Sequence, residues 1–260
     1  MGANEHSVGR WLSMPRPNPA AVARIVLFPY AGAGVMQFYY WAAQLPSRFE
    51  LVCVHLPGRE ARSEEAAAGD LRAVAAILAE ALAYLPPKPS VYFGHSMGAL
   101  LAYETCCAAR ERAAGEPYAL VVSGRSAPQV IPERTPYWEW PRPAFLEELF
   151  KLGGLTRDIV ELPELLDYVE PILRADLAMH GRYMPAVAPP LRQPVLAMYG
   201  STDHTFPAEQ VLRWRACCSG SFQAVEFDGG HFFINPHRAA VLDRIAWMAD
   251  KFLPNSNQFI

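Results

Sequence analysis

Runs of apolar, largely β-branched residues recur along the chain at 24–28, 51–55, 91–93, 119–123, 195–199 and 224–227. Polar residues do not alternate with the apolar ones in these runs, which is the pattern of strands covered on both faces of a parallel sheet. Between the runs the pattern changes to a helical period. In 70–85, Leu71, Val74, Ile77, Leu78, Ala81, Leu82 and Leu85 fall three and four apart and form one apolar stripe. Helical stretches are also predicted at 99–113, 207–217 and 236–252. Strand alternating with helix implies right-handed crossovers. The expected fold class is therefore α/β, with a mostly parallel central sheet flanked by helices.

One segment departs from this rhythm. From 127 to 190 no strand pattern appears, while Phe145, Leu146, Leu149 and Phe150, then Leu162, Leu165, Leu166, Val169, Ile172 and Leu173, give helical spacing in short pieces broken by prolines. This predicts a helical lid insertion over the carboxyl edge of the sheet, where open α/β folds bind ligands. Phe145, Leu149, Phe150 and Met179 are its candidate substrate-facing residues. The expected organisation is a leader at 1–22, marked by Pro15, Pro17 and Pro19, one domain over 23–254, and a frayed tail at 255–260.

At 260 residues, 52% hydrophobic and 19% charged, the chain has the composition of an ordinary globular protein. A net charge of -3 gives no general attraction to nucleic acid. No apolar run approaches the length of a membrane helix, roughly 18 residues, and the N-terminal stretch lacks the apolar core of a signal peptide. The expectation is a cytoplasmic protein with neither nucleic acid nor membrane as partner. The cysteines, Cys53, Cys106, Cys107, Cys217 and Cys218, are odd in number and have no C-x-x-C spacing, so they read as buried free thiols rather than a disulfide framework or zinc site.

The sharpest chemical signal is Gly94-His95-Ser96-Met97-Gly98, placed between the apolar run at 91–93 and a helical stretch. A G-x-S-x-G at a strand-to-helix turn is a nucleophile elbow, in which the turn is so tight that the serine is thrust into the site. Ser96 is the candidate nucleophile. The helix that follows directs free N–H groups at charge developing on a substrate oxygen, so the Met97 N–H is a candidate oxyanion donor. A hydroxyl needs a base, and the order expected in this fold is Ser, then Asp or Glu, then His. Asp203 follows the run at 195–199, and His231 follows the run at 224–227 after Gly229-Gly230. His231 is the candidate base and Asp203 the group that orients it. His6, His55, His95, His180, His204 and His237 lack such a position, and the His95 side chain is expected to point away from the site. The loop 28–34 after the first core strand should supply the second oxyanion donor, with the Ala31 N–H as candidate. It lacks the spacing of a nucleotide-binding loop.

At this point the chain resembles a known family, the type II thioesterases that work beside modular polyketide and nonribosomal peptide synthases. The resemblance rests on Phe28-Pro29-Tyr30-Ala31-Gly32, Leu56-Pro57-Gly58-Arg59 with Arg62, the elbow, Leu173-Arg174-Ala175-Asp176, Gly200 with Asp203, and Gly229-Gly230-His231. It implies an α/β-hydrolase fold with a helical lid, an acyl-enzyme on Ser96 and hydrolysis of acyl thioesters from the phosphopantetheine arms of carrier proteins. The partner is then an acyl or peptidyl carrier protein domain of such a synthase, held on a separate chain, with no cofactor and no metal required. Tyr30 departs from the histidine of many relatives, and Ala33-Gly34 from a more usual small polar pair. Two other readings stay open on the residues alone: a carboxylesterase of free small esters, because a triad does not distinguish thioesters from oxygen esters, and a non-catalytic carrier-binding module, which would have no need of all three triad residues.

Overall fold

The structure, a computed structural model, describes residues 8–113, 115–131, 135–155, 159 and 161–254. Among these residues seven strands form one sheet: β1 Leu12–Arg16, β2 Ala23–Phe28, β3 Phe49–Val54, β4 Ser90–His95, β5 Ala119–Ser123, β6 Val195–Gly200 and β7 Phe222–Phe227, in the spatial order β1-β3-β2-β4-β5-β6-β7. All neighbours pair in parallel except β1, which runs antiparallel to β3.

Successive residues of the core strands serve opposite layers. Val26 and Phe28 join one apolar cluster with Val52, Tyr92 and Val122, under helices α2 (Leu71–Ala83) and α3 (Met97–Glu111). Ile25 and Leu27 join the other with Leu51, Phe93 and Val121, under α1 (Met36–Gln44) and α7 (Arg238–Lys251). With both faces covered, neither parity of residue can be polar, which is why these strands read as unbroken apolar runs. Asp70 starts α2 by accepting the N–H groups of Arg72 at 2.9 Å and Ala73 at 3.1 Å, satisfying donors that the first helical turn leaves free.

Three features differ from the expectations. Residues 12–16, assigned above to a leader, are an edge strand of the sheet; Pro15 is compatible with that place because an edge position need not supply a ladder N–H. Helix α1 has no counterpart in the sequence reading. The stretch expected as one helix over 207–217 is a short helix α6 (Ala208–Val211) continued by a 3-10 segment, Leu212–Cys217, in which buried Trp214 donates its indole N–H to the Arg125 carbonyl at 2.8 Å. The region 255–260 lies outside the described residues, as does His6.

Among the described residues 127–190 contains no strand. It holds a 3-10 turn, Tyr137–Glu139, and helices α4 (Arg142–Lys151) and α5 (Pro163–Gly181). They have a small core of their own, Trp138, Phe145, Leu149, Leu155, Leu173 and Leu177, against which Ala31 of the loop after β2 packs. Arg174 pins it together, donating to the carbonyls of Trp138 at 2.6 Å and Trp140 at 2.9 Å with its guanidinium 4.0 Å from the Phe145 ring centre. The insertion thus covers the carboxyl ends of the strands. All five cysteines are free and buried. Burial pushes the Cys53 and Cys217 thiols up to about 12 and Cys107 up to about 11, which removes their thiolate reactivity at neutral pH. No helix among the described residues is long and apolar enough to cross a membrane.

Candidate active site

From β2 the chain builds β3 on one side and then crosses to β4 on the other, so the direction of strand addition reverses at β2. A crevice opens outside the carboxyl ends of strands at such a reversal. The loop carrying Ala31 leaves β2 there and Ser96 leaves β4 beside it, with Phe28 paired to Gly94 at the last step of the ladder.

Ser96 has φ +53° and ψ -119°, well away from the conformations an L-residue prefers. The flanking glycines make the turn possible. A Cβ on Gly94 would lie 2.0 Å from the Gly98 carbonyl oxygen, and one on Gly98 would lie 2.2 Å from that of Phe28. The elbow is further fixed by the Ser96 N–H donating to the Ser123 carbonyl at 2.8 Å. Met97 is the first residue of α3, so its N–H is among those with no acceptor in a preceding helical turn.

The residues that the sequence reading grouped as Ser96, His231 and Asp203 lie together. His231 Nε2 is 3.0 Å from Ser96 Oγ and His231 Nδ1 is 2.8 Å from Asp203 Oδ2. Asp203 is anchored in turn, its Oδ1 accepting the N–H groups of Thr205 at 2.9 Å and Phe206 at 3.1 Å. The loops bearing the acid and the imidazole are laced to each other through Ser201 N–H to the Phe227 carbonyl at 2.8 Å and Thr202 N–H to Gly229 at 3.0 Å. Ser96 and Asp203 are buried, at 8% and 4% exposure, so their mutual geometry is largely shielded from water.

His95, whose side chain was expected to point away from the site, instead packs beneath His231 with ring centres 4.9 Å apart and places Nδ1 3.0 Å from Ser123 Oγ. Burial, and then the neighbouring His231, hold its pKa well below the usual histidine range, so it is a neutral ring under the imidazole. No motif signal distinguishes such a packing histidine from any other residue between the Gly and Ser of an elbow.

Ser96 and His231 open on a cavity of about 70 Å³ lined by Tyr30, Ala31, Leu149, Leu173, Phe206 and Phe232 among others. Burial raises the Tyr30 phenol above its usual range and keeps it neutral. Of the four lid residues named above, Leu149 lines this cavity. Phe145 is fully buried in the lid's own core, Met179 is buried in the cluster beneath α3, and Phe150 is exposed and borders a second, more open depression that shares His231, Phe232 and Thr205 with the first. The helical period identified residues that bury one face, but not which of them meet the cavity. Leu177 and Phe206 do so without having been named, and Leu173 does so having been named for its helical spacing and motif but not as substrate-facing. Among the described residues no group of three or more His, Cys, Asp or Glu side chains is placed to hold a metal.

The model of the thioesterase domain family matches residues 23–248. The gramicidin S biosynthesis protein GrsT of Aneurinibacillus migulanus is 33% identical over 227 residues, covering 87% of this chain and 89% of GrsT. Thioesterase PikA5 of Streptomyces venezuelae is 32% identical over 228 residues, with 87% and 81% covered. The solved structure of the type II thioesterase BorB from the borrelidin biosynthetic cluster matches with a TM-score of 0.85 at 30% identity, covering 92% of this chain and 97% of that one. With a family match over most of its length, and an elbow, acid and imidazole at the ends of β4, β6 and β7, this chain belongs to the thioesterase domain family.

Proposed function

We propose that the protein is a type II thioesterase that hydrolyses acyl thioesters from the phosphopantetheine arms of carrier proteins in polyketide or nonribosomal peptide synthesis. The observation that carries this reading is the unbroken hydrogen-bonded line from Ser96 through His231 to Asp203, opening on a small apolar cavity. GrsT, named for gramicidin S biosynthesis, and BorB, a type II thioesterase from the borrelidin biosynthetic cluster, support the choice of a biosynthetic acyl thioester as substrate.

The chemistry follows from the geometry. Ser96 Oγ adds to the thioester carbonyl while His231 Nε2 takes its proton, and Asp203 stabilises the imidazolium and holds its tautomer. The Met97 and Ala31 N–H groups receive the oxyanion. As the tetrahedral centre collapses, the carbon–sulfur bond breaks and His231 returns the proton to the departing thiol, leaving an acyl ester on Ser96. Water then repeats the sequence with His231 as base, releasing the carboxylic acid and regenerating the serine. With the lid in its present position the cavity has room for an acyl chain of a few carbons, closed in by Leu149, Leu173 and Phe232. The chemistry assigned to these residues calls on no metal or redox cofactor.

The test is mass spectrometry of a carrier protein loaded with a short acyl group and incubated with the wild type or with Ser96→Ala. Loss of the acyl mass with the wild type alone is expected. An acyl carrier left intact by both, together with hydrolysis of small oxygen esters by the wild type, would replace this reading with a carboxylesterase. An intact carrier without any hydrolysis would favour a binding module.

A further inference from the structure

The lid is joined to the loop after β2 through a buried ion pair. Asp176, on α5, and Arg59, in the loop after β3, are 1% and 2% exposed. Arg59 Nη1 meets Asp176 Oδ2 and Arg59 Nη2 meets Asp176 Oδ1, both at 2.7 Å, a two-pronged bond that fixes direction as well as distance. Arg59 also donates to the Pro57 carbonyl of its own loop at 3.4 Å, and each partner reaches one and the same turn. Asp176 Oδ2 accepts the Gly32 N–H at 2.8 Å, and Arg59 Nη1 donates to the Ala33 carbonyl at 2.9 Å.

That turn begins beside the reacting centre. The Ala33 N–H donates to the Tyr30 carbonyl at 3.0 Å and Gly32 has φ +80°, the pattern of a type II turn with Ala31 and Gly32 in the middle. The peptide joining those two residues is the one whose rotation separates a type II from a type I turn, and Asp176 holds it by its N–H. A Cβ on Gly32 would come within 2.5 Å of Leu173 Cδ2, so α5 closes on the turn from a second side. The Arg59 loop adds its own bracing: the Glu60 carboxylate accepts the Val35 and Met36 N–H groups at 2.9 Å, and the Glu60 N–H donates to the Tyr168 hydroxyl of α5 at 2.8 Å.

We infer that Asp176 and Arg59 are positioning residues for the reaction, which fix the turn presenting the Ala31 N–H to the oxyanion and so make the lid helix part of that donor's support. The inference rests on the role proposed above for Ala31. An oxyanion donor acts only if it is held within hydrogen-bond distance of the place where charge develops. Upstream the turn is fixed by β2; downstream it is fixed by this pair.

The test compares wild type with Asp176→Asn, which keeps the shape and removes the charge, and Arg59→Lys, which keeps the charge and removes the fork. Arg142→Gln, which breaks a surface ion pair within the lid to Asp167 and Glu170, is the control for loosening the lid alone. Thermal unfolding checks that each is folded. The readouts are kcat and KM for an acyl thioester, and affinity for an alkylboronic acid, which forms a tetrahedral adduct on Ser96. Losing a whole oxyanion donor costs about 10²–10³ in kcat, so a displaced one should cost about 10- to 100-fold. Both pair variants should show that fall in kcat, a matching fall in boronate affinity, and KM changed by less than about three-fold. A folded pair variant that binds the boronate as tightly as wild type, or whose loss lies entirely in KM, overturns the inference, as does an Arg142→Gln enzyme with the same kcat defect. Boronate binding does not depend on the acyl substrate. A wild type that binds it yet leaves thioesters intact therefore counts against the proposed function alone. Breaking one side of a buried pair can unfold a protein. Hydrogen exchange on the wild type supplies a second measurement: the Gly32 amide should exchange as slowly as the α5 amides around Asp176, and exchange at the rate of an open loop overturns the coupling.

Discussion

The strained elbow predicts an unusual pair of variants at Ser96. At φ +53° and ψ -119° the residue lies outside the left-handed well, whose ψ is about +30 to +60°, and only glycine enters that region freely. Residues held in such regions cost about 1–3 kcal/mol, and the distant ψ argues for the upper part of the range. Ser96→Ala removes the hydroxyl and its bond to His231 but keeps the strain. Ser96→Gly loses the same bond and releases the strain. Against that release stand about 0.5–1 kcal/mol for the greater chain entropy of glycine and about 0.8 kcal/mol for the contacts of one buried carbon. The glycine variant should therefore be more stable than the alanine variant by about 1 kcal/mol, or about 2–4 °C in Tm for a domain of this size. Thermal unfolding of the two proteins at one pH and concentration measures it, with urea unfolding as a check at 25 °C. Both variants should have lost turnover, since neither carries Oγ. A glycine variant melting at or below the alanine variant would refute the reasoning, because the elbow would then store no conformational energy.

Three other outcomes are expected. Gly98→Ala drives a Cβ to 2.2 Å from the Phe28 oxygen and 2.9 Å from that of Pro29, both backbone atoms that cannot rotate away; it should destabilise by more than about 2 kcal/mol and displace the Ala31 turn, and a variant with wild-type Tm and kcat would contradict the close approach. In Asp203→Asn, Oδ1 stays committed to the Thr205 and Phe206 N–H groups, so the amide NH₂ faces His231 Nδ1 and favours the wrong tautomer. The expected loss in kcat is about 10³–10⁴ without a large change in Tm, and unchanged turnover would assign the orienting role elsewhere. Burial raises the Glu104 carboxyl above its usual range against the opposing bonds from Tyr183 and Arg72. A carboxyl whose folded pKa exceeds its unfolded one favours the folded state while protonated, a contribution present below the unfolded pKa and lost as pH rises through the folded value. Glu104→Gln should accordingly gain in Tm on wild type as pH rises from about 4 to 8, and a difference that does not vary with pH would show that the carboxyl is not raised.

How much of this was legible in the sequence depended on how local the physical cause was. The core strands were readable because a strand covered on both faces has no place for polar residues, and that requirement is written into consecutive positions such as Arg24–Ile25–Val26–Leu27–Phe28, where only the first residue is polar. The elbow was readable for a similar reason, since Gly94 and Gly98 are demanded by contacts between residues four apart and with the neighbouring strand. The order of Ser96, Asp203 and His231 was readable because each follows a strand, and parallel strands bring their carboxyl ends to one edge. Edge strand β1 was hidden by its proline, whose tolerance depends on which neighbours the strand has.

The tertiary structure alone decided the contacts among segments distant in sequence. Helical spacing marks Phe145, Leu149 and Met179 as residues that bury a face, and all three are buried, yet only the packing of α4 and α5 over β2 determines that Leu149 meets the cavity while the others fill cores. His95 becomes a neutral ring under His231 only because β5 and the loop after β7 close around it. Asp176 and Arg59 are separated by 117 residues, and neither carries a local signal of its partner. Patterns along a chain record what each residue requires of its immediate surroundings, whether buried, turned or capped. Which surroundings meet is decided by the sheet order and the lid's seat on it, so the place of Ser96 at the carboxyl edge of the sheet was legible in the sequence, and the ion pair that ties the lid to the turn beside it was not.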